Sequence, residues 1–220
     1  MSHEIRSPIN VILSFSALIR SEIEEIVSKD LMEGFNSISN AGKRIIRTID
    51  LLLNMSEIQT KTFEFLPERI DLLSSVIYPL LPEYSFAAKE KKLNLVLETE
   101  LDTAFIVGDE YSLEQIFANL IDNAIKYTDN GVISLNLYIN SDNQIICKVK
   151  DMGIGIGPEF MDKLFTPFTQ EEQGYTRRYE GNGLGLALVK NYCELNDIDI
   201  SVESEKGLGT TFTLLFKRTI

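Results

Sequence analysis

A histidine, an amide-rich stretch and two glycine-rich segments are the parts of this chain whose residue types and spacing could do chemistry. The only histidine, His3, lies in the string Ser-His-Glu-Ile-Arg-Ser-Pro at residues 2–8. Asparagines and a lysine follow in residues 119–127, and glycines alternate with other residues in 151–157 and 181–186. Neutral imidazole is a nucleophile, amide oxygens bind hard cations, and glycine-rich backbone can approach a nucleotide closely. This set of groups suits the transfer of phosphate from a nucleotide to an imidazole.

The neighbours of His3 support that chemistry. Glu4 can hold the ring or accept its proton, and Ser7 lies one helical turn further along the same face. Pro8 cannot donate to the carbonyl of Glu4, so a helix should bend there and leave that carbonyl without its usual donor. A lone histidine at this position could equally be an ordinary surface residue, so the interpretation depends on the other motifs.

A predicted helix over residues 110–127 carries a polar stripe. Asn119, Asn123, Lys126 and Tyr127 recur on one face of it, at i, i+4, i+7 and i+8. The two amides suit Mg²⁺, and the lysine supplies a point charge for phosphate oxygens. An ordinary amphipathic helix could carry the same stripe, so the stripe alone does not establish a site.

Two glycine loops complete the predicted nucleotide pocket. Asp151 ends an apolar strand, where its carboxylate could accept a hydrogen bond from the exocyclic amine of adenine. Gly153 and Gly155 would allow the backbone close to a flat ligand, although Asp-x-Gly-x-Gly is also a common tight turn. The second loop opens a helix predicted over 184–196, so its amides could cradle phosphate. This loop contributes Gly181, Gly183, Leu184 and Gly185.

The segment between the two loops has the character of a lid. Residues 166–180 are polar and contain Gly174 and the pair Arg177 and Arg178. A segment of this composition can close over a bound ligand, and an arginine in it could reach a phosphate.

Residues 1–60 are predicted as two long helices because they carry a seven-residue apolar repeat. Asp30 and Glu33 fit a capping box for the second helix. Two such helices cannot hide their apolar stripes from water alone, whereas two copies could form a four-helix bundle, which predicts a homodimer. The first stripe is Ile5, Ile9, Ile12, Ser16, Ile19, Ile23 and Ile26, and the second is Leu31, Phe35, Ile38, Gly42, Ile45, Ile49 and Leu52.

Residues 61–220 are predicted as a separate α+β domain, with a mixed sheet covered on one face by helices and a hinge at 60–62. Apolar segments predict strands near 63–69, 93–97, 104–107, 132–139, 144–150, 199–203 and 210–216. Helical patterns fall near 70–91, 110–127, 158–164 and 184–196.

Composition narrows the classes of partner. The 220-residue chain has a formal net charge of −12, so it offers no basic surface for nucleic acid. An acidic protein that binds a nucleotide needs a divalent cation and a few placed basic groups. Cys147 and Cys193 lack metal-ligand spacing and are predicted to be buried, reduced thiols. No apolar run reaches the roughly 18 residues that span a bilayer. We expect a cytoplasmic fragment, and a membrane anchor in a missing N-terminal region stays open.

Taken together, the motifs resemble those of sensor histidine kinases of two-component systems. His-Glu-Ile-Arg-Ser-Pro at residues 3–8 is similar to their H box. Gly207-Leu-Gly209-Thr-Thr-Phe resembles the last box of their sheet, and the resemblance covers essentially all of the chain. Four further segments resemble boxes of the GHKL ATP-binding domain. They are 119–127 (N box), 151–157 (G1 box), 165–168, Phe-Thr-Pro-Phe (F box), and 181–186 (G2 box).

The resemblance implies that a helical hairpin is followed by a Bergerat-type α/β sandwich that binds ATP. It implies that His3 is the phosphoacceptor and passes its phosphoryl group to an aspartate of a response regulator receiver domain. It also implies that Asn123 binds Mg²⁺, that Asp151 binds adenine, and that Arg177 lies near the phosphates.

Three features depart from the family pattern. Asn182 stands where Thr or Ser is usual, and we expect nucleotide binding to survive because a polar side chain remains. Ser7 stands where Thr or Asn commonly positions water for dephosphorylation, which leaves phosphatase strength open. The chain starts two residues before His3, and we expect a fragment that lacks its upstream sensor domain.

Two other classes remain open from the sequence. Another GHKL ATPase, of the gyrase, mismatch-repair or heat-shock chaperone type, would share the pocket, although the hairpin with its histidine argues against it. A dimeric scaffold that binds ATP without phosphotransfer would share every motif. P-loop ATPases and Ser/Thr/Tyr kinases are excluded because their signature motifs do not occur.

Overall fold

The computed structural model describes residues 2–23, 28–171 and 182–217, without the side chains of residues 2–5, 23, 29 and 30. The chain divides into two compact units, Met1–Phe63 and Glu64–Ile220. We call them the hairpin unit and the sheet unit. In the part of the chain that is described, no helix is both long enough and apolar enough to cross a membrane.

The hairpin unit consists of two helices, α1 (Ser2–Ile23) and α2 (Lys29–Gln59). Helix α1 continues through Pro8. Helix α2 is capped by Ser28, whose hydroxyl accepts a hydrogen bond from the Leu31 amide at 3.4 Å. The predicted capping box at Asp30 and Glu33 is therefore wrong. The helix begins one residue before Asp30, so the serine provides the oxygen that the first-turn amides need.

Along each of the two predicted apolar stripes, half-buried residues alternate with exposed ones. Ile9, Phe35 and Ile49 are half-buried, whereas alternate stripe positions such as Ile12 and Ile45 are exposed. A Cβ added at Gly42 would lie 2.5 Å from the Leu13 side chain, so the helices approach closely at this glycine. Each stripe thus covers its partner helix with one half and leaves the other half open to water. Among the described residues of the hairpin unit, the large apolar side chains that are exposed are Val11, Ile12, Phe15, Leu18, Ile19, Leu31, Ile38, Ile45 and Leu52.

The sheet unit is built on a five-stranded mixed sheet in the order β2-β4-β5-β7-β6. The β2–β4 pair is parallel and the other three pairs are antiparallel. The five strands are β2 (Asn94–Thr99), β4 (Val132–Ile139), β5 (Ile145–Lys150), β6 (Ile198–Glu205) and β7 (Gly209–Phe216). A second, two-stranded antiparallel sheet joins β1 (Glu68–Asp71) to β3 (Phe105–Gly108).

Helices cover one face of the large sheet, which confirms the predicted α+β architecture. They are α3 (Tyr78–Glu90), α4 (Glu110–Tyr127) and α6 (Gly185–Leu195), and a short α5 (Pro158–Met161) follows β5. Alternate residues of each central strand point into this core, including Leu135, Cys147 and Leu214. Cys147 and Cys193 are buried free thiols, as predicted, and burial raises the pKa of each to about 12.

One predicted boundary is wrong. The strand expected over 63–69 forms at Glu68–Asp71, and the helix expected over 70–91 begins only with a π-helical turn, Leu73–Ile77, that leads into α3. The Asp71 carboxylate explains the break, because it accepts hydrogen bonds from the Ala104 amide at 2.7 Å and from the Leu73 amide at 3.4 Å. Pairing with β3 extends this segment, and local helical periodicity carries no information about that contact.

Candidate functional site

Helix α4 is the element around which the predicted nucleotide residues gather. Its N-cap is Asp109, whose carboxylate accepts hydrogen bonds from the Ser112 amide at 2.8 Å and the Leu66 amide at 3.1 Å. Asn196 at the end of α6 donates to the Ser112 hydroxyl and accepts from the Asp109 amide, both at 2.8 Å. The start of α4 is therefore fixed by a buried polar network.

Asn119 lies in the first half of the predicted stripe and is buried. Its amide nitrogen donates to the Gln115 carbonyl at 2.8 Å, one turn back along the same helix. Its Oδ1 faces Gly185, where an added Cβ would lie 3.1 Å away. The stripe on α4 and the second glycine loop are therefore in contact through these two residues.

Asn123, Lys126 and Tyr127 form the second half of the stripe, and all three are half-buried. The Lys126 ammonium donates to the Tyr127 hydroxyl at 2.9 Å and lies 4.5 Å from the centre of that ring. The side-chain amide of Asn123 makes no hydrogen bond to any residue that the structure describes. A half-buried amide, a cation and an aromatic ring thus share one end of the helix.

Asp151 follows β5 directly, and its carboxylate is held on one side only. Oδ1 accepts hydrogen bonds from the Gly153 amide at 2.8 Å and the Thr210 amide at 3.2 Å. Oδ2 accepts no hydrogen bond from any residue that the structure describes, so it can take a donor from a ligand.

Burial sets the protonation behaviour of Asp151. Desolvation raises the pKa of its carboxyl group above the ordinary value of 3.8, and the hydrogen bonds from Gly153 and Thr210 oppose that rise. A desolvated carboxylate with one unpartnered oxygen gains when a ligand amine donates to it.

Glycines allow the first loop to lie directly on its neighbours. Gly155 adopts φ +65°, and an added Cβ would come within 2.0 Å of the Glu205 carbonyl oxygen. At Gly153 an added Cβ would lie 2.5 Å from the Tyr127 carbonyl oxygen, which accepts a hydrogen bond from the Ile154 amide at 3.1 Å. The loop is thereby placed between the end of α4 and the β6–β7 turn.

The second loop contacts the Phe-Thr-Pro-Phe segment. Gly183, at φ +69°, accepts a hydrogen bond from the Phe168 amide at 2.9 Å. Phe168 itself has φ +62°, a strained conformation for an aromatic residue. Asn182 accepts from the Leu184 amide at 3.2 Å, which is a contact that the hydroxyl of Thr or Ser can also make. Leu184 is buried in the core.

Several predicted site residues lie outside the described part of the structure. His3 and Glu4 belong to α1 by backbone, but their side chains are not described, and Arg177 and Gly181 lie outside the described ranges. Ser7 is exposed on α1.

The structure also reveals interacting residues that sequence reasoning missed. Arg6 donates to Asp50 at 2.8 Å, which ties the first turns of α1 to α2. Glu171 accepts from the Gly157 amide at 3.0 Å and pairs with Lys206 at 2.7 Å. Lys91 donates to carbonyls at the end of α4. The charge pairs are separated by 35 to 44 residues, and no local pattern identifies them.

The polar groups of this site fit a metal ion that is held mainly by phosphate and water oxygens rather than by protein side chains. Among the described residues no group of three or more His, Cys, Asp or Glu side chains could hold a metal. Mg²⁺ in nucleotide sites takes few protein ligands and several oxygens from phosphate and water. The Asn123 amide fits that chemistry, whereas Asn119 already uses its nitrogen within α4 and its oxygen faces a glycine.

Family comparisons agree with this geometry. Residues 108–220 match the model described as Histidine kinase-, DNA gyrase B-, and HSP90-like ATPase. Residues 1–61 match the His Kinase A (phospho-acceptor) domain. The chain belongs to the histidine kinase family.

Relatives of this histidine kinase chain include much longer proteins. The autoinducer 2 sensor kinase/phosphatase LuxQ of Vibrio parahaemolyticus is 34% identical over 97% of this chain and 25% of its own length. The sensor histidine kinase RcsC of Escherichia coli strain K12 is 31% identical over 97% of this chain and 22% of its own length. The chain therefore spans about a quarter of these relatives.

Solved structures share the fold of this histidine kinase chain. Full-length ShkA in complex with AMPPNP superposes with a TM-score of 0.76 at 22% identity, over 99% of this chain and 44% of that one. The histidine kinase AdeS of Acinetobacter baumannii gives 0.65 at 24% identity, over 97% and 96% of the two chains. At these identities the likeness shows the fold alone.

Proposed function

We propose that this chain is the core of an ATP-dependent protein histidine kinase that phosphorylates itself on His3 and passes the phosphoryl group to an aspartate of a response regulator receiver domain. The observation that carries the proposal is the Asp151 carboxylate, which is buried beside the end of α4 with one oxygen open to a donor. That arrangement suits adenine, whose exocyclic amine is a donor, and selects it over guanine, which presents an acceptor there.

The nucleotide site is proposed to consist of the residues that meet around α4 and the two loops. Asp151 would bind adenine, Tyr127 would contact the base, and Lys126 would contact phosphate oxygens. Gly153 and Gly155 would admit the ligand to the backbone, and the second loop would bind phosphate. That second loop comprises Gly181, Gly183, Leu184 and Gly185, with Arg177 as an additional phosphate contact.

The phosphotransfer step is a displacement at the γ-phosphorus of ATP. An imidazole nitrogen of His3 forms the new N–P bond, the P–O bond to the leaving ADP breaks, and the ring proton passes to Glu4. Ser7, exposed one turn away, would position a water molecule that hydrolyses the phosphoaspartate of the partner and releases inorganic phosphate.

Mg²⁺ is proposed as the cofactor, with Asn123 as its protein ligand and Asn119 beside it. When bound, the ion neutralises charge on the transferring phosphate. The net charge of −12 makes such neutralisation necessary for an anionic nucleotide.

The hairpin unit, residues 1–60 in the sequence prediction, is proposed to be the dimerisation and phosphoacceptor domain, and residues 61–220 the ATP-binding domain. Support for a homodimer comes from the exposed half of the apolar stripes, in which Ile12 is 59% and Ile45 is 49% exposed. Two hairpins can bury these surfaces as a four-helix bundle.

A labelling experiment tests the proposed activity. Incubation with γ-labelled ATP and Mg²⁺ should give label that is labile in acid and stable in base, as expected of phosphohistidine. His3→Gln should abolish the label and leave ATP affinity within about twofold of wild type by calorimetry, because nucleophile and pocket lie in separate units. Label retained by His3→Gln would show that another residue is the acceptor.

The same assay separates the two rival functions. A scaffold that binds ATP without phosphotransfer would show ATP affinity but no label in the wild type. A GHKL ATPase of another type would release phosphate continuously while His3→Gln had no effect on turnover. Asn123→Ala tests the pocket separately from the acceptor histidine. This variant should lose both ATP binding and the label.

A further inference from the structure

Lys91, in the turn after α3, makes an unusually complete contact with the end of α4. Its ammonium donates to the carbonyl oxygens of Ile125 at 2.7 Å, Lys126 at 3.0 Å and Thr128 at 3.2 Å. An ammonium has three donors, so the group's full hydrogen-bonding capacity is used on this helix end. The contact spans 34 to 37 residues of sequence.

The carbonyls that Lys91 binds are those that a helix cannot satisfy by itself. The last four carbonyls of an α-helix have no intrahelical donor and carry a partial negative charge. Lys91 takes those of residues 125 and 126 and the one just beyond the helix, at residue 128. The carbonyl between them, that of Tyr127, accepts from Ile154 in the loop after Asp151. Lys91 and the loop after Asp151 together provide hydrogen-bond donors for the carbonyls at the end of α4.

A second cation, Lys126, lies on the last turn of α4. Its ammonium donates to the Tyr127 hydroxyl at 2.9 Å, and both residues belong to the proposed nucleotide site. The helix end that Lys91 contacts is therefore the end that carries these two side chains.

We propose that Lys91 is a positioning residue for nucleotide binding: it holds the end of α4 so that Lys126, Tyr127 and the loop after Asp151 keep the arrangement that receives ATP. The inference rests on the proposed nucleotide site. Lys91 would not touch the ligand. It acts through the backbone of the residues that do.

Matched substitutions test the proposal in the full chain. Lys91→Met removes the charge at constant length, Lys91→Arg keeps it, and Lys92→Met removes the same charge from the next residue, which is exposed like Lys91. Below the melting temperature of every variant, Lys91→Met should weaken Mg-ATP binding about tenfold, the factor equivalent to 1.4 kcal/mol, by raising KM with little change in kcat. Lys91→Arg should stay within about threefold of wild type, and Lys92→Met within about twofold.

Two outcomes would overturn the role of Lys91. One is a Kd for Lys91→Met within about twofold of that for Lys92→Met, and the other is binding by Lys91→Arg as weak as by Lys91→Met. If Asn123→Ala abolishes ATP binding in the same series, the proposed site stands even when Lys91 fails. If Asn123→Ala binds ATP like wild type, the proposed site itself fails.

Wild-type protein provides a measurement that does not depend on a variant folding. Coupling between two sites is reciprocal, so a lysine that strengthens ATP binding must itself be held more firmly when ATP is bound. Limited acetylation with an amine-reactive ester, read by mass spectrometry, should label Lys91 more slowly than Lys92, and saturating Mg-ATP should slow Lys91 further. Equal labelling of the two lysines, with and without ATP, contradicts the proposal.

Discussion

At the scale of single residues, Asp151 shows how a proposed ligand-binding residue can oppose stability. Its carboxyl group is buried, and the raised pKa shows that desolvation outweighs the two backbone hydrogen bonds. The two amides occupy only Oδ1. A residue selected for stability alone would satisfy both oxygens or be neutral. The open oxygen is therefore best explained by a ligand that completes its hydrogen bonding.

This explanation predicts that Asp151→Asn separates binding from stability. The amide oxygen can still accept from Gly153 and Thr210, but the NH₂ group then meets the adenine amine donor to donor. We expect ATP affinity to fall about 10- to 100-fold, the loss of one hydrogen bond to a charged group. Calorimetry measures this, and unchanged affinity would contradict the adenine role.

The melting temperature of the same variant should move in the opposite direction. Because the folded-state pKa of Asp151 is raised above 3.8, its ionised form destabilises the fold at pH 7, and the neutral amide removes that penalty. Asp151→Asn without nucleotide should thus melt at the same temperature as wild type or higher. The variant's gain in stability over wild type should shrink as the pH falls through the raised pKa of Asp151. It should vanish below about 3.8, where the wild-type carboxyl group is protonated in both the folded and the unfolded protein.

At the scale of elements, the site is a set of loops that lie on one another with almost no side chain between them. The loop after β5 rests against the β6–β7 turn through Gly155 and against the end of α4 through Gly153. The second loop rests on Phe168 through Gly183. Small changes in one loop must therefore move the next, because backbone meets backbone.

Two glycines with similar backbone angles test this coupling. Gly155 (φ +65°) would place a Cβ 2.0 Å from the Glu205 carbonyl oxygen, whereas Gly207 (φ +79°) has open space. Gly207→Ala should cost only the left-handed conformation, roughly 1–2 kcal/mol of unfolding free energy. Gly155→Ala should cost roughly 1–3 kcal/mol more and should also weaken ATP binding. Denaturant unfolding measures the free energy of unfolding of both variants. Equal decreases in that free energy would show that the loop after β5 and the β6–β7 turn are not in firm contact.

Much of this element structure could be predicted from sequence. Helix α4 is predicted at 110–127 from its apolar face, and it lies at Glu110–Tyr127, where Asp109 caps it. Strands are likewise predicted near 132–139 and 144–150 from their apolar residues, and β4 and β5 lie at Val132–Ile139 and Ile145–Lys150. The prediction failed at Glu68–Asp71, because the extended segment depends on pairing with β3, which is distant in sequence. It also failed at the start of α2, because the helix is capped by Ser28 and not by Asp30.

The candidate site was less accessible to sequence reasoning than the fold. Motif spacing predicts Asp151 and the polar residues on α4 as site residues, since each motif is local. It could not show that Asn119 turns its nitrogen back to Gln115, or that Lys91 contacts the carbonyl of residue 125. Such contacts depend on how α3, α4 and the loops approach one another in three dimensions.

At the scale of the whole molecule, the chain consists of one self-sufficient unit and one incomplete unit. The sheet unit buries its own core, which includes Phe117, Leu135 and Tyr192. The hairpin unit leaves half of each apolar stripe exposed, and Ile38 is 47% exposed. An exposed apolar surface of this extent marks an interface. Two copies of this chain are the proposed solution.

The proposed dimer predicts a sharp difference between two neighbouring positions on α2. Ile45→Glu places a charge in the apolar layer of the dimer, at a cost of several kcal/mol, but it leaves the single hairpin intact because the residue is 49% exposed. Asn40→Glu, at an exposed polar position, is the control. Light scattering should show a monomer for Ile45→Glu and a dimer for wild type and Asn40→Glu.

Circular dichroism and ATP calorimetry complete that test. The monomeric Ile45→Glu variant should keep its helix content and its ATP affinity, because the sheet unit folds around its own core. A wild-type protein that is monomeric at micromolar concentration would contradict the dimer, and a loss of ATP binding in the monomer would show that the units depend on each other.

The unsatisfied oxygen of Asp151 also bears on how long the protein survives in a cell. If Asp151 binds adenine as proposed, the protein without nucleotide is the less stable form, and bound nucleotide should offset the cost of the desolvated carboxylate. A ligand at 100 times its Kd stabilises a protein by about 2.7 kcal/mol, which lowers the population open to proteases about 100-fold. We therefore expect the lifetime of this chain to follow the nucleotide supply, with starved cells degrading it faster than fed ones.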